Sequence, residues 1–408
     1  MSLITHHSSL SSNSRAFGIL FVCLVCVGLG QSMLFSILPP AAREIGISPF
    51  QVSTIFATSA SLWVFVSPMW GRRSDVWGRR KVILLGLLGF ALSMSLLATM
   101  IEIGLKKLLP VIAVYPLMIA SRSLFALLGS GTGPASQAYV ADRTSALERT
   151  RGVALVNAAM GLGETVGPGV GAGLAAIGLL APLYLSAALA VLSAVMIWFF
   201  LPEHQLPHAH GAAHAARLSF RDPRVLPFLL VATSLQAVRA TTVITFAFFL
   251  QDTLSLNAQQ TVQYSGIGFV VLAVSGLFAQ LVIVQRFRPS ARGMIRSGLP
   301  LMLVAFVLLA TLHAFTWYLT ALVALGIGLG LVRPGNAAAA SLAVEAHEQG
   351  AAAGVVGGVS VIGNVFGPML GTQLYQVLPI GPYLLNSAVM VAVLVFTFTN
   401  LRLRTLRV

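Results

Sequence analysis

The chain alternates long apolar runs with short polar ones. A membrane-spanning helix needs about 20 mostly apolar residues, and runs of that length recur at 16–38, 51–70, 82–103, 111–133, 153–177, 182–201, 226–250, 262–285, 294–312, 316–333, 351–373 and 381–400. The pattern predicts twelve spanning helices. Pro and Gly fall inside many of these runs, where neighbouring membrane helices can re-satisfy the backbone groups they free. The first run is 23 residues long and lacks a small-residue cleavage site, so it reads as a retained helix and not a secretory signal.

A second pattern lies over the first. GETVGPGVG in helix 5 places Gly163, Gly167, Pro168 and Gly171, and GNVFGPMLG in helix 11 places Gly363, Gly367, Pro368 and Gly371, an offset of 200 throughout. Pro134 and Ala138 of helix 4 stand opposite Pro334 and Ala338 of helix 10 at the same offset. A repeat of half the chain with the same in-out sense implies two six-helix bundles related by an axis along the membrane normal. The expected fold is therefore an all-α membrane protein, with twelve transmembrane helices in two pseudo-symmetric six-helix bundles. Residues 1–201 and 226–408 form the bundles, and 202–225 form a cytoplasmic linker. The linker carries His204, His208, His210 and His214, without the rigid spacing or the cysteines of a metal site, and reads as a solvated connection.

Composition agrees with this reading. The chain is 57% hydrophobic and 9% charged, where a soluble domain carries roughly 25% charged residues. The formal net charge of +14 would suit a nucleic-acid partner if it were gathered in one patch. It is not. With the N-terminus placed in the cytoplasm, 19 of the 25 Lys and Arg fall on cytoplasmic segments, counting Arg296 at the cytoplasmic edge of its run, three lie outside (Arg43, Lys106, Lys107) and three remain deep within spans. The basic charge is positive-inside topology, both termini are expected in the cytoplasm, and no nucleic-acid partner is implied. Cys23 and Cys26 share a helix face and read as buried thiols. No metal ligand set or cofactor motif is present. Glu102 and Lys106 have the i, i+4 spacing of an interfacial ion pair.

The loop between helices 2 and 3, GRRSDVWGRRK, holds Gly71, Asp75, Gly78, Arg79, Arg80 and Lys81. Its glycines permit a tight turn, and its arginines can pair with acids across a helix interface. The pattern GxxxDxxGRRK at this loop resembles the signature of the major facilitator superfamily, with Val76 where the family usually has a basic residue. The helix-5 string resembles the GxxxGPxxGG motif of antiporters in that superfamily, with Ala172 replacing the last glycine. The stretch SRSLFALLGSGTGPASQAYVADRTSALERTRG, containing Arg122 and Asp142, is similar to the corresponding region of tetracycline-type and other drug exporters. The resemblance implies a cytoplasmic latch built from Gly71, Asp75, Gly78, Arg79, Arg80 and Asp142, with Arg79 or Arg80 pairing to Asp142. It also implies a drug/proton antiporter. On physical grounds alone, the two glycine strips account for close helix packing.

A charge at the bilayer centre costs about 2.5–3.5 kcal/mol on insertion scales, so each such residue needs a cavity or a partner. Arg122, Glu164, Arg239 and Arg333 qualify. Together with Gln31, Gln236, Asn336 and Asn364, the three arginines are the candidate substrate-cavity residues. Glu164, with Asp142 as the other candidate, is expected to carry a coupling proton, since desolvation raises a carboxyl pKa; pairing with Arg122 is the competing role for Glu164. Three arginines against one acid favour an anionic cargo. The expected protein is a monomeric, multi-pass inner-membrane transporter that exchanges protons for a drug or anionic metabolite. The alternatives are a proton symporter importing a small metabolite and a receptor that binds without transport. No enzyme motif such as HExxH or GxSxG occurs.

Overall fold

A computed structural model describes residues 3–144, 146–203, 218–345 and 348–400. Among these residues the chain forms twelve long helices and no strand. They are α1 (Leu3–Ile45), α2 (Pro49–Trp77), α3 (Arg79–Leu105), α4 (Val111–Ala141), α5 (Ala146–Ala175), α6 (Ala181–Phe200), α7 (Leu226–Thr253), α8 (Ala258–Phe287), α9 (Ala291–Thr311), α10 (Phe315–Leu342), α11 (Gln349–Val377) and α12 (Gly381–Thr399). Eleven of them are long and apolar enough to cross a membrane. The twelfth, α5, runs over 30 residues, and its glycines together with Glu164 lower its hydropathy. Several helices outrun the apolar runs that predict them. Thus α2 continues to Trp77 and α1 passes through Pro39 and Pro40.

Two helices contain a π-turn, at Phe125–Gly129 in α4 and at Ala279–Val284 in α8. Such a turn widens the helix and frees a carbonyl, and it is frequent at functional sites. In α4 the indole Nε1 of Trp70 donates to the Leu127 carbonyl at 2.6 Å.

The chain divides into two compact units, residues 1–47 with 58–210, and residues 48–57 with 211–408. The first turns of α2 group with the second unit, where Ser53 Oγ accepts a hydrogen bond from Thr372 Oγ1 at 2.9 Å. Each unit repeats one packing plan. In the first, α1 packs on α5 and α3 packs on α6 and α4; in the second, α7 packs on α11 and α9 packs on α12 and α10.

The glycine strips explain the tightest of these contacts. A β-carbon at Gly163 would stand 2.2 Å from the Val25 carbonyl oxygen and 2.6 Å from the Leu29 nitrogen, and one at Gly167 would stand 2.5 Å from the Leu29 carbonyl oxygen. At Gly363 the corresponding distances are 2.4 Å to the Thr233 oxygen and 2.7 Å to the Ala237 nitrogen, and at Gly367 2.5 Å to the Ala237 oxygen. Gly171 and Gly371 meet Met33 and Thr241. Backbone lies against backbone at both places, which only a residue without a side chain allows. The register also shows which residues correspond: Val25, Leu29 and Met33 map onto Thr233, Ala237 and Thr241, a constant offset of 208.

Candidate functional site

The polar residues predicted for a cavity fall into separate groups. In the first unit, Arg122 of α4 is 6% exposed and donates from Nη2 to Gln31 Oε1 of α1 at 2.5 Å. Its guanidinium carbon lies 5.1 Å from the centre of the Phe125 ring, and its backbone carbonyl accepts from Ser59 Oγ at 3.4 Å. Arg122 is thus held by an amide and an aromatic face and not by an acid. Glu164 does not pair with it. The glycines on either side, Gly163 and Gly167, are buried against α1, so Glu164 is turned away from that contact and is exposed. Its carboxylate has no hydrogen-bond or ion-pair partner among the described residues. The burial expected of it is absent for this reason.

In the second unit, Gln236 and Arg239 of α7 and Asn364 of α11 form a chain. Arg239 Nε donates to Gln236 Oε1 at 3.3 Å, and Gln236 Nε2 donates to Asn364 Oδ1 at 3.3 Å. By the 208-residue register Arg239 is the counterpart of Gln31, and by the 200-residue offset Asn364 is the counterpart of Glu164. Next to this chain is a cavity of about 750 Å³ lined by residues that include Gln236, Gln280, Arg333, Asn336, Gln349 and Ser360. Arg333 is exposed to it, while Asn336 is 3% exposed and donates from Nδ2 to the Phe228 carbonyl at 3.0 Å. Arg239 and Asn364 do not line it. Gln280, Gln349 and Ser360 went unnoticed in the sequence. A glutamine inside the apolar run of α8 was the signal for the first of them.

The loop signature gathers at the basic end of the first unit. Arg79 contacts two acids, Asp75 Oδ1 at 2.5 Å and Asp142 Oδ2 at 3.1 Å, and its Nη1 donates to Ser74 Oγ at 2.6 Å. Of the two arginines expected at Asp142, Arg79 makes the pair. Arg80 turns to α6, where it donates to the Trp198 carbonyl and lies over the indole. Gly78 has φ 98°, which favours glycine, and a β-carbon there would stand 2.1 Å from Glu203 Oε1. A β-carbon at Gly71 would stand 4.0 Å from that of Pro134, so no close approach requires glycine there. Asp142 is the C-cap that follows α4, and its contact with Arg79 places its carboxylate in this cluster at the helix end.

The second unit has a polar cluster that the sequence did not suggest. Arg224 donates to both oxygens of Glu348, from Nη1 at 2.8 Å and Nη2 at 2.9 Å, and to Asp222 Oδ2 from Nη2 at 2.9 Å. These hydrogen bonds, the one to Asp222 first, raise the Arg224 pKa above its ordinary range. Elsewhere the expected Glu102–Lys106 pair forms at 2.6 Å, and the Tyr184 hydroxyl donates to the other Glu102 oxygen at 2.8 Å. Cys23 is buried, with its Sγ donating to the Ser193 carbonyl at 3.6 Å. The histidine-bearing linker lies outside the described residues, and among the described residues no cluster could hold a metal ion.

The model of the Major Facilitator Superfamily matches residues 20–368. The chain belongs to the major facilitator superfamily. It is 27% identical over 369 residues to multidrug resistance protein 1 of Bacillus subtilis (strain 168), covering 88% of this chain and 89% of that protein. It is 28% identical over 385 residues to the class C tetracycline resistance protein of Escherichia coli, covering 90% and 91%. Among solved structures, a bacterial homologue of the human lysosomal transporter Spinster in an inward-facing, occupied conformation superposes with a TM-score of 0.73 at 14% identity, over 94% of each chain. The fold is that of major facilitator transporters. The chain is a multi-pass membrane transporter of a small molecule and not an enzyme.

Proposed function

We propose that this superfamily member is a proton-coupled exporter that moves a drug or anionic small metabolite by alternating access. It acts as a monomer in the bacterial inner membrane with both termini cytoplasmic. The cavity of about 750 Å³ with an exposed arginine in its wall carries the reading, because such a wall attracts an anion and repels a cation. The relatives, a multidrug and a tetracycline resistance protein, support export. The excess of Lys and Arg on alternate loops supports the orientation.

Glu164 carries the coupling proton in this reading. It is the acid at the middle of α5, free of any partner among the described residues, and its counterpart in the other half is the unprotonatable Asn364. The Arg79 cluster with Asp75 and Asp142 acts as a cytoplasmic latch that holds in one state of the cycle and releases in the other.

Proteoliposomes with an acidic lumen test the direction. An antiporter accumulates tetracycline there as protons leave, whereas a symporter does so only with the gradient reversed. Glu164→Gln is expected to bind tetracycline as before and to lose gradient-driven accumulation. Undiminished accumulation by that variant would remove Glu164 from the mechanism, with Asp142 the next acid to test. Failure of the native protein to accumulate tetracycline with either gradient would overturn the export reading.

A further inference from the structure

The sequence offers three intramembrane arginines for an anion, and the structure separates them. Arg122 is buried, bonded to Gln31 and stacked near Phe125. Arg239 is bonded to Gln236, which is itself tied to Asn364. Arg333 differs from both, being exposed on the wall of the cavity in the second unit with no hydrogen bond or ion pair among the described residues. No Asp, Glu, Lys or second Arg stands among the residues that line this cavity.

The rest of the wall adds to the same selection. Gln280 lies in the π-turn of α8, and Gln349 begins the 29-residue helix α11. Both amides are exposed and without partners among the described residues, so they can bond a polar group of either kind. The N-terminus of α11 adds a partial positive charge at the Gln349 end. Ser360 uses its own proton on the Gly357 carbonyl at 2.7 Å and presents a hydroxyl oxygen only. Gln236 and Asn336 also reach the wall, their amide nitrogens bonded to Asn364 and to the Phe228 carbonyl, with Ser341 beside them, and the remaining lining is uncharged and mostly apolar, including Ala337, Ala340, Ala353 and Gly357. A β-carbon at Gly357 would meet nothing within 4 Å, so α11 leaves open volume at this point of the wall.

We infer that Arg333 is the anion-recognising residue of a subsite lying wholly within the second unit, and that its ligand is an amphipathic organic monoanion, a single carboxylate or sulfonate on an apolar body. One unpaired guanidinium neutralises one oxyanion charge. A second negative charge would have no partner in the lining, and a cationic ligand would meet Arg333 without an acid to offset it. The inference deepens the transport reading and rests on it for the cavity being where cargo binds, although recognition itself is measurable without transport.

The test uses a matched pair of one shape, 1-naphthaleneacetate and its neutral amide 1-naphthaleneacetamide, titrated calorimetrically into the full chain in detergent. The acetate is expected to bind about tenfold to a hundredfold more tightly than the amide, the range for one charge-assisted hydrogen-bonded contact. Arg333→Gln should reduce that preference to near unity, and Arg333→Lys should restore part of it. A β-carbon at Gly357 meets nothing within 4 Å, so Gly357→Leu places its bulk in the open volume and should weaken both ligands together. Equal affinity of the native protein for the two ligands overturns the inference. So does absence of binding by either at millimolar concentration, or a preference that survives in Arg333→Gln. If the preference stands while proteoliposomes transport nothing, the export reading falls and the subsite remains; if transport occurs without the preference, the subsite falls and export remains.

Discussion

Replacing Gly167 by alanine should destabilise the protein through a contact that can be worked out atom by atom. The added β-carbon would stand 2.0 Å from Ser32 Oγ and 2.5 Å from the Leu29 carbonyl oxygen, whereas β-carbons essentially never approach a heavy atom closer than 3.0 Å. The serine hydroxyl can rotate away, but the Leu29 carbonyl is fixed in the α1 ladder. The two helices must therefore separate by about half an ångström or more along their closest contact, and the contacts that Gly163 and Gly28 make nearby are loosened with it. Overpacking of this kind costs about 1–3 kcal/mol, and replacing a helical glycine by alanine returns about 0.5–1 kcal/mol. A net loss of about 1–2 kcal/mol follows, which a thermal-unfolding assay of the purified protein in detergent reads as a fall of a few degrees. Gly161 and Gly173 lie on the same helix with nothing within 4 Å of their β positions, so Gly161→Ala and Gly173→Ala isolate the propensity gain. They should be neutral or slightly stabilising. In the second copy, Gly367→Ala meets the Ala237 carbonyl at the same 2.5 Å and should lose as much as Gly167→Ala. If Gly167→Ala unfolded at the native temperature, or lost no more than Gly161→Ala, the close α1–α5 approach would be refuted.

Two further outcomes follow from the polar clusters at the helix ends. Gly78→Ala places a side chain at φ 98° and against Glu203, so it should cost at least about 1–2 kcal/mol by the same assay, and a neutral result would mean that the turn is not left-handed. Arg224→Gln leaves the Asp222 and Glu348 carboxylates without their shared cation, so backbone amide exchange at residues 218–229 and at the start of α11 should quicken. Because those carboxylates raise the Arg224 pKa, its contribution is fully present below the ordinary arginine range and is lost only as pH rises above it. The native protein should accordingly keep slow exchange there from neutral to mildly alkaline pH, and loosening within that window would contradict the ion-pair reading.

Much of the fold could be read in the sequence because the signals it depends on are local. Apolar run length reports a helix directly, and the repeated GxxxGPxxG reports a face of closest approach without saying which helix approaches. The pairing of α5 with α1 and of α11 with α7 required coordinates, as did the π-turns, whose only local trace is FALLG after Arg122 and AQLVIV around Gln280. The site was legible in kind and not in arrangement. Arg122, Arg239 and Arg333 look alike in a sequence, but one is buried on Phe125, one is engaged by Gln236 and one is exposed on a cavity wall. That difference comes from side chains on α1 and α4 in one unit and on α7, α8, α10 and α11 in the other, which no spacing rule brings together. Glu164 failed its expected burial for a related reason. The same glycine periodicity that marks the buried face of α5 at 163 and 167 turns the residue between them outward.

The two registers together indicate where this protein can differ between its halves. Along the glycine contacts the backbones of α1 with α5 and of α7 with α11 are in matching positions, and no side chain fits at Gly163 or Gly167 in one copy or at Gly363 or Gly367 in the other. Divergence is therefore excluded from those glycines and falls on the positions around them: the residues facing the strip differ, as at Leu29 and Ala237 or Gly28 and Gln236, and the charges differ as well. Beside the strip, Glu164 in one half becomes Asn364 in the other, while Gln31 in one becomes Arg239 in the other. The first half thus carries an acid on its glycine helix and a neutral amide on the helix it packs against; the second carries a neutral amide and a cation. In the proposed mechanism the first half supplies the proton carrier and the second the anion-attracting arginine on the cavity wall, Arg333, whose counterpart at the 200-residue offset is Gly133. The two roles separate experimentally: a neutral residue at 164 should abolish gradient coupling with binding intact, and a neutral residue at 333 should abolish the preference for an anion with the α5 acid untouched.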